Sequence, residues 1–437
     1  MRFSIVIPTR NRPEYLPGTV RSALRQTNVS NFEVIVFDNS SLISAKEVLK
    51  GINDPRLVIE RSEVPLAMRD SWEIAVSYAT GDFVTILGDD DSIVPSALHV
   101  SSVIIEKYNA KILRWDRAHY YWPNYKNTNS ANLCRIPLGR TVFKIDGYWL
   151  LRQLGQMSLS YSASPTIYNS WIHRDLIQKV KLASGRLFHS ASPDVDSGFA
   201  FAYTCGSFYH LNFPLSVCAQ SAKSNGAQMH SECGGMSGVE RLEVADDYIN
   251  LNRQASIVFD TNPIETVWGG IATSYKIMAS ALKVPKTFFQ LDKSALFVRV
   301  LKEEFPKMTT LNKQKYLKDF DKEFNLDPKN LRNAKKYILQ SKISPNDSRD
   351  DTIKHRPQTG YEEHIRHLTL DCSLFNVESA EQAAVLVDKM LGLNDRFDST
   401  SFDWYPKTSV QTIKDVMYKL LRCRDFNFRG TQYTPGI

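Results

Sequence analysis

The chain has 437 residues, of which 43% are hydrophobic and 23% charged, and its formal net charge is +7. This length allows two or three domains, and the composition is typical of a folded globular protein and excludes disordered or fibrous classes. No stretch approaches the roughly 18 consecutive apolar residues of a transmembrane helix, so a membrane-spanning protein is not expected.

The first residues and the cysteines both favour a cytoplasmic location. The chain runs from Met1 directly into a short apolar run and a charged loop, without the longer apolar core of a secretory signal. The six cysteines are scattered and include no Cys-x-x-Cys pair, which argues against a disulfide framework or a zinc site.

Strands and helices alternate through the first third of the chain. Apolar runs predict strands at residues 3–7, 32–37, 57–59 and 83–87. Helical spacing of apolar residues predicts the intervening helices at 13–26, 44–51 and 69–80. Such alternation indicates an α/β fold with a mostly parallel sheet and a site at the carboxyl ends of its strands.

The remainder divides into a mixed middle and a mainly helical end. Helices are predicted at 146–153 and 173–181, and a third begins at Ser192–Pro193. The aromatic-rich stretch 115–125 suits either core packing or stacking on sugar rings. We expect one domain over 1–238, with halves 1–110 and 111–238, and a mainly helical region over 239–437 with a polar loop at 346–359.

Three adjacent carboxylates, Asp89, Asp90 and Asp91, follow the predicted strand at 83–87 and Gly88. Neighbouring anions raise one another's pKa, so a positive group is expected beside them. Carboxylates at a strand end suit a hard divalent cation that keeps positions open for phosphate oxygens. The alternative is a solvated acidic turn that favours the start of the next helix.

Polar motifs end each of three predicted strands, and a fourth opens a helix. They read Pro8-Thr9-Arg10-Asn11-Arg12, Asp38-Asn39-Ser40-Ser41, Met68-Arg69-Asp70 and Gly88-Asp89-Asp90-Asp91. Over roughly residues 2–100 this ordered set resembles the nucleotide-sugar-binding half of a family 2 glycosyltransferase. That is the inverting group with the fold called GT-A, a Rossmann-like sheet with flanking helices.

The resemblance implies a metal-dependent transferase that moves a sugar from a nucleoside diphosphate, such as a UDP-sugar, to a glycan or lipid-linked acceptor in surface polysaccharide synthesis. The metal, Mg²⁺ or Mn²⁺, would be held by Asp89 and Asp91, with His230 as a further candidate ligand. The implied nucleotide-sugar-binding residues are Pro8, Thr9, Arg10, Arg12, Asp38, Asn39, Arg69, Asp89 and Asp90. Three of these residues have an alternative role: Arg12 and Arg69 could form surface ion pairs, and Asp38 could stabilise the turn in which it lies.

An inverting transfer also needs a base near the acceptor hydroxyl. In this family it is usually an acid near the start of a helix downstream of the acidic motif. Asp194 and Asp196, after Ser192 and Pro193, fit that placement, and the sequence leaves open which of them acts. An aspartate in a first turn also stabilises a helix without any catalytic role.

Positive charge is concentrated between Lys283 and Lys342, where 15 Lys and Arg face 7 Asp and Glu. Such a segment could hold the protein at the anionic inner face of a membrane, or it could be a solvated helical surface. We expect no nucleic-acid partner.

Two other functions compete with transfer. A sugar nucleotidyltransferase shares the sheet and the acidic metal site, but it is expected to carry a Gly-rich phosphate loop, and residues 9–12 contain no glycine. A non-catalytic scaffold or binding protein is the second alternative, and the intact acidic and arginine motifs count against it.

Overall fold

The structure is a computed structural model that describes residues 1–125, 130–137, 139, 141–221, 267–304 and 367–391. His230, the predicted loop at 346–359 and the basic segment beyond residue 304 lie outside the described residues.

Eleven strands are described, and those of the first third match the predicted apolar runs closely. They are β1 (Phe3–Thr9), β2 (Phe32–Asp38), β3 (Leu57–Arg61), β4 (Phe83–Ile86), β5 (Ser92–Ile93), β6 (Ile112–Tyr121), β7 (Leu133–Pro137), β8 (Val142–Asp146), β9 (Ser170–His173), β10 (Ser207–Gln220) and β11 (His367–Asp371).

Ten α-helices lie between and after these strands in the described residues. They are α1 (Leu16–Leu24), α2 (Ala45–Val48), α3 (Met68–Ser77), α4 (Ala97–Tyr108), α5 (Gly147–Gly155), α6 (Arg174–Ser184), α7 (Pro193–Cys205), α8 (Val267–Ala281), α9 (Lys293–Glu303) and α10 (Ala380–Leu391).

Local chemistry explains where several helices begin and end. The Asp146 carboxylate accepts from the backbone N–H of Trp149 at 2.6 Å, which caps α5. Gly185 ends α6 with φ at +86°, a left-handed conformation that favours glycine. Pro193 occupies the first turn of α7, where its missing N–H removes no helical hydrogen bond.

The sheet is parallel in its N-terminal half. Its order from that edge is β3-β2-β1-β4, and each neighbouring pair runs parallel. Because β1 and β2 pair in register, Thr9 lies opposite Asp38 at their carboxyl ends. The predicted α/β fold class is confirmed, and its polar motifs meet at one edge of the sheet.

Antiparallel pairs are added in the second half of the sheet. Strand β9 pairs antiparallel with β4 and β6, and β7 pairs antiparallel with β6 and β11. The long β10 runs parallel to the other side of β6 and antiparallel to β5 and β8. Sequence reasoning described this part only as mixed, and it did not predict β10.

Apolar layers cover both faces of the sheet. In β1, Ile5 and Ile7 join one core while Val6 joins the other, since successive side chains of a strand point to opposite faces. Helices α1, α4 and α10 cover the first face, and α3 and α5–α9 cover the second. Trp115 and Tyr120 of the aromatic stretch are fully buried in the first core, as the packing alternative predicted.

The described parts of the C-terminal region are built into this body. Helix α8 packs on α7, helix α10 packs on α1, and β11 adds a strand beside β7. The predicted region 239–437 therefore contributes a strand to the main sheet as well as helices. Within the described residues, no helix is long and apolar enough to cross a membrane.

Candidate functional site

The three aspartates after β4 are buried together at the carboxyl end of the parallel strands. Asp89, Asp90 and Asp91 are each at most 7% exposed. The guanidinium of Arg12 lies 3.1 Å from a carboxylate oxygen of Asp89 and 3.1 Å from one of Asp90. Thr9 donates its hydroxyl to Asp89 at 2.8 Å. The positive group expected beside the acidic run thus includes Arg12.

The backbone of the acidic turn is fixed from α1. The Thr19 hydroxyl lies 2.9 Å from the carbonyl oxygen of Asp89 and 2.8 Å from that of Asp91. Gly88 leaves room on the other side, because a Cβ there would overlap the Tyr168 hydroxyl and approach an Asp91 oxygen to 2.9 Å. A side chain at residue 88 would therefore displace Tyr168 from Asp91.

Asp91 accepts hydrogen bonds on both of its oxygens. The Tyr168 hydroxyl donates to Oδ2, and the backbone N–H of Ala219 on β10 donates to Oδ1 at 2.7 Å. Burial, together with the charge of Asp90, raises the pKa of Asp91 to about 7. Burial also raises the pKa of Asp89 to about 6, while Arg12 opposes that rise.

The donor atoms here suit Mg²⁺ or Mn²⁺ in chemical type, since hard cations take carboxylate oxygens. Among the described residues, however, no group of three or more His, Cys, Asp or Glu side chains is arranged to hold a metal. The Tyr168 hydroxyl takes one lone pair of Asp91 Oδ2 and the Ala219 N–H takes one of Oδ1, which leaves each oxygen a second lone pair. The third predicted ligand, His230, lies outside the described part of the chain.

Asp38 shapes the turn that follows β2. It is fully buried, and it accepts from the backbone N–H of Ser41 at 2.8 Å and of Ala45, the first residue of α2, at 3.0 Å. The guanidinium of Arg61 also pairs with it. Its carboxylate thus makes the turn contacts that the sequence left as an alternative to ribose binding, and sequence reasoning missed Arg61.

Asn39 and the turn after β1 contain the remaining predicted nucleotide-sugar-binding residues, which lie on what we call the donor side. Asn39 exchanges two hydrogen bonds with the backbone of Leu66, at 2.8 and 2.9 Å, and so joins two loops of this edge. Pro8 and Arg10 are half-buried beside Thr9. The backbone N–H of Arg10 donates to Asp89 and helps to offset its charge.

Arg69, at the start of α3, reaches the loop that precedes α7. It is 7% exposed and donates to the backbone carbonyl of His189 at 2.9 Å. Burial lowers the pKa of Arg69, while the charges of Asp70 and Asp196 oppose that shift. Arg69 thus joins α3 to the loop before α7, and its contact with the nucleotide stays a prediction.

Asp196 is fully buried in the first turn of α7 and fixes that same loop. Its Oδ2 accepts from the backbone N–H groups of His189 at 2.7 Å and Ser190 at 2.6 Å, and its Oδ1 accepts from the Ser190 hydroxyl at 2.7 Å. Burial raises the pKa of Asp196 to about 7. With both oxygens bonded and no solvent access, Asp196 acts as a structural anchor of residues 189–196.

Asp194 lies two residues before Asp196 and is half-buried. Burial raises the pKa of Asp194, whereas a hydrogen bond from the backbone N–H of Val195 and the charge of Arg117 oppose the rise. The nearby Asp194 charge is the main cause that raises the pKa of Tyr161, with burial second. A carboxylate with a raised pKa at a partly open position has the properties of a general base.

Arg117 links the two groups of aspartates, and sequence reasoning missed it. Its guanidinium lies on β6, 5.5 Å from the ring centre of Tyr168. Its charge opposes the rise in pKa at both Asp91 and Asp194, so it lies within electrostatic reach of each. No spacing rule marks Arg117 in the sequence, because it is one polar residue within an aromatic-rich strand.

The family comparison covers the N-terminal part of this arrangement. Residues 4–150 match the family described as Glycosyl transferase family 2. These residues form a family 2 glycosyl transferase domain. The match begins in β1 and extends through the acidic turn and β6 into α5, so it includes the donor-side motifs and Arg117. The predicted family is confirmed for this part of the chain.

The curated proteins that this chain resembles include bacterial and archaeal glycosyltransferases. The putative colanic acid biosynthesis glycosyl transferase WcaA of Escherichia coli K12 is 30% identical over 100 residues, 22% of this chain and 36% of that protein. Abequosyltransferase RfbV of Salmonella typhimurium is 30% identical over 122 residues, 27% of this chain and 36% of that protein. The chain spans about a third of the length of the first relatives it matches.

A more extended but weaker match is to the UDP-Glc:alpha-D-GlcNAc-diphosphoundecaprenol beta-1,3-glucosyltransferase WfgD of Escherichia coli, 24% identical over 38% of this chain and 61% of that protein. Among solved structures, S. aureus TarS residues 1–349 in complex with UDP-GlcNAc aligns with a TM-score of 0.40 and 17% identity, over 73% of this chain and 80% of that one. A TM-score this low supports no residue-by-residue comparison.

Proposed function

We propose that the protein is an inverting glycosyltransferase that moves a sugar from a nucleoside diphosphate, a UDP-sugar first among them, to a glycan or lipid-linked acceptor. The observation that carries this proposal is the cluster at the carboxyl end of the parallel strands, where Arg12 contacts Asp89 and Asp90 and the Tyr168 hydroxyl bonds to Asp91. The Arg117 guanidinium lies 5.5 Å from the ring centre of the same Tyr168. The similarity to WfgD, described as a UDP-Glc-dependent beta-1,3-glucosyltransferase, supports the donor class.

On the donor side, the β1 and β4 turns bind the activated sugar. Thr9, Arg10 and Arg12 lie beside the acidic turn, and the Arg12 guanidinium can form charge-assisted hydrogen bonds to phosphate oxygens. Asp38 and Asn39 fix the loops that shape the nucleoside end of the pocket.

Asp89 and Asp91 are the proposed ligands of a resident Mg²⁺ or Mn²⁺. The metal would supply positive charge that offsets the charge developing on the departing diphosphate. Arg117 supplies a second positive charge on the same side of the pocket.

On the acceptor side, Asp194 is the proposed general base. It takes the proton of the acceptor hydroxyl as that oxygen bonds to the anomeric carbon and the bond from that carbon to the diphosphate breaks. Asp194 is favoured over Asp196 because Asp196 is fully buried with three hydrogen bonds to its oxygens. The charge of Arg117 near Asp194 stabilises the deprotonated carboxylate before transfer.

The test is turnover by the purified full-length chain with a panel of nucleotide sugars and Mn²⁺, measured as release of the nucleoside diphosphate. A thermal-shift screen of the same nucleotides identifies the donor base, since a ligand that binds only the native state raises Tm. Formation of pyrophosphate from a sugar phosphate and a nucleoside triphosphate would instead indicate the nucleotidyltransferase alternative. Absence of both nucleotide binding and turnover would favour a scaffold.

Contact with an anionic membrane, on its cytoplasmic face, is the proposed setting for a lipid-linked acceptor. The excess of Lys and Arg between 283 and 342 supports it, since each such residue near an anionic surface contributes about 1 kcal/mol. Co-sedimentation with vesicles should rise with anionic lipid, fall with salt and be lost when Lys313, Lys315 and Lys318 are changed to Glu. Equal binding to neutral vesicles would remove this part of the proposal.

A further inference from the structure

Helix α8 belongs to the C-terminal region, beyond the family match, yet it contacts the loop that carries the proposed base. The Ser274 hydroxyl on α8 lies 2.7 Å from the Ser190 hydroxyl, which in turn donates to Asp196 at 2.7 Å. Ser274 and Ser190 are both buried, at 1% and 4% exposed. These contacts form one hydrogen-bonded path from α8 to the first turn of α7.

The same path holds the whole segment from residue 189 to the start of α7. The Ser190 hydroxyl accepts from the backbone N–H of Ser192 at 3.0 Å, while Asp196 accepts from the N–H groups of His189 and Ser190. Because the Ser190 proton goes to Asp196, the Ser274 hydroxyl is the donor to Ser190, and the Gly270 carbonyl at 3.1 Å is its alternative acceptor. Two residues after Ser192 the chain reaches Asp194, so the direction of that carboxylate depends on this segment.

Helix α8 also contacts α7 through an aromatic side chain. The Tyr275 ring packs between Phe199 of α7, with ring centres 5.6 Å apart, and Phe289, at 5.8 Å. Its hydroxyl is buried and has no hydrogen-bond partner among the described residues. Burial raises the pKa of Tyr275, and Tyr161 and Asp194 add to that rise, so Tyr275 lies within electrostatic reach of Asp194.

We infer that Ser274 is a positioning residue, through which the C-terminal helix α8 orients Asp194 for proton removal from the acceptor. The inference rests on the proposed function for its catalytic consequence, but its structural content is independent. The inference gives the C-terminal region a role in the reaction centre. The nucleotide-sugar side of that centre comes from residues 4–150, which match the family.

The experiment compares Ser274→Ala with Ser280→Ala in the full-length protein. Ser280 lies on the same helix but is exposed, so it is a matched control for loss of one hydroxyl. Ser274→Ala should lower kcat about tenfold, with KM for the donor unchanged, because a small misplacement of a catalytic group costs rate more than binding. Hydrogen exchange at the backbone N–H groups of residues 189–192 should become faster in Ser274→Ala and stay unchanged in Ser280→Ala.

Ser190→Ala removes the hydroxyl that joins Ser274 to Asp196, so it interrupts the same path at its second residue. If the two hydroxyls act through one path, the double variant should lose no more rate than the more affected single variant, since the effects of coupled residues do not add. Additive losses in the double variant would contradict the shared path.

The two ideas fail in different ways. A lower Tm for Ser274→Ala with unchanged kcat and unchanged exchange at 189–192 would overturn the inference and leave the transferase function in place. Faster exchange at 189–192 in a protein that neither binds nor turns over nucleotide sugars would support the positioning role and remove the proposed function.

Discussion

Two groups of buried aspartates lie in this fold, and their charges are compensated in different ways. Those after β4 lie against Arg12, the Thr9 hydroxyl and backbone N–H groups. In the first turn of α7, Asp196 accepts from backbone N–H groups and a serine hydroxyl, and Asp194 accepts from the backbone N–H of Val195 and lies within electrostatic reach of Arg117.

The difference matches two different tasks. A donor site must hold an anionic diphosphate next to carboxylates, so it needs cations within the site. A base must gain and lose a proton near neutral pH, so a strong ion pair, which would lower its pKa, is unsuitable. The fold provides the first environment at the carboxyl end of the parallel strands and the second at the N-terminus of α7.

Asp91→Ala should give the largest effect on the donor side. We expect transfer to fall below detection and metal-dependent nucleotide binding to weaken, because this carboxylate is the first choice as metal ligand. Circular dichroism should show an intact fold, and Asp175→Ala, which changes an exposed carboxylate on α6, should leave turnover unchanged. Full activity in the presence of EDTA would contradict the metal role.

Asp194→Asn tests the acceptor side at nearly constant shape. We expect kcat to fall by roughly 10²–10⁴-fold, the usual contribution of a positioned base, while nucleotide affinity by calorimetry stays unchanged. Asp196→Asn is the companion variant, and its main effect should be on stability. Equal activity in Asp194→Asn, with an inactive Asp196→Asn, would assign the base to Asp196 instead.

Arg12→Gln removes the cation that contacts Asp89 and Asp90 directly. Nucleoside diphosphate affinity should fall roughly 10- to 100-fold, since a hydrogen bond to a charged group contributes about 1.5–3 kcal/mol. Arg25→Gln is the control, because Arg25 pairs with Glu381 on α10 away from the pocket. Unchanged affinity in Arg12→Gln would mean that this arginine only balances the aspartates.

The pH dependence of stability should show the smallest effect. Burial raises the pKa of Asp196 to about 7, so between about pH 4 and 7 the native state binds a proton that the unfolded state has released. Stability from this group therefore falls as pH rises through that window. The buried His189 has a lowered pKa and acts in the opposite sense, so the comparison is with Asp196→Asn.

The measurement is Tm of wild type minus Tm of Asp196→Asn at several pH values from 5 to 8. The difference should decrease by a few degrees as pH rises, because asparagine does not titrate. A constant difference across this range would place the pKa of Asp196 near its ordinary value.

The donor side could be predicted from sequence because its signals are local. Apolar runs that end in polar residues mark β1, β2 and β4, and parallel pairing then brings Thr9, Asp38 and the acidic turn to one edge. The bounds of these strands agree with the predicted runs to within two residues. The first turn of α7 was also predictable, since Ser192 and Pro193 are residues that favour a helix start.

The contacts across the pocket were not predictable, because they join residues far apart in the chain. Tyr168 meets Asp91 only through the pairing of β9 with β4, and Arg117 depends on the position of β6. The bond from Arg69 to the carbonyl of His189 likewise depends on the packing of α3 against the second core. No periodicity in a single sequence records such long-range geometry.

The pairing of β7 with β11 has a consequence for how the protein is made. Strand β7 ends at Pro137, and its neighbour begins at His367, so one strand is translated long before the other. At roughly 5–20 residues per second, β7 waits on the order of tens of seconds on the ribosome before β11 emerges. During that time the edge of β7 that later binds β11 exposes backbone groups that other chains can pair with. Synthesis therefore imposes a vulnerable interval, and the yield of protein should depend on translation speed and on chaperones that shield this edge.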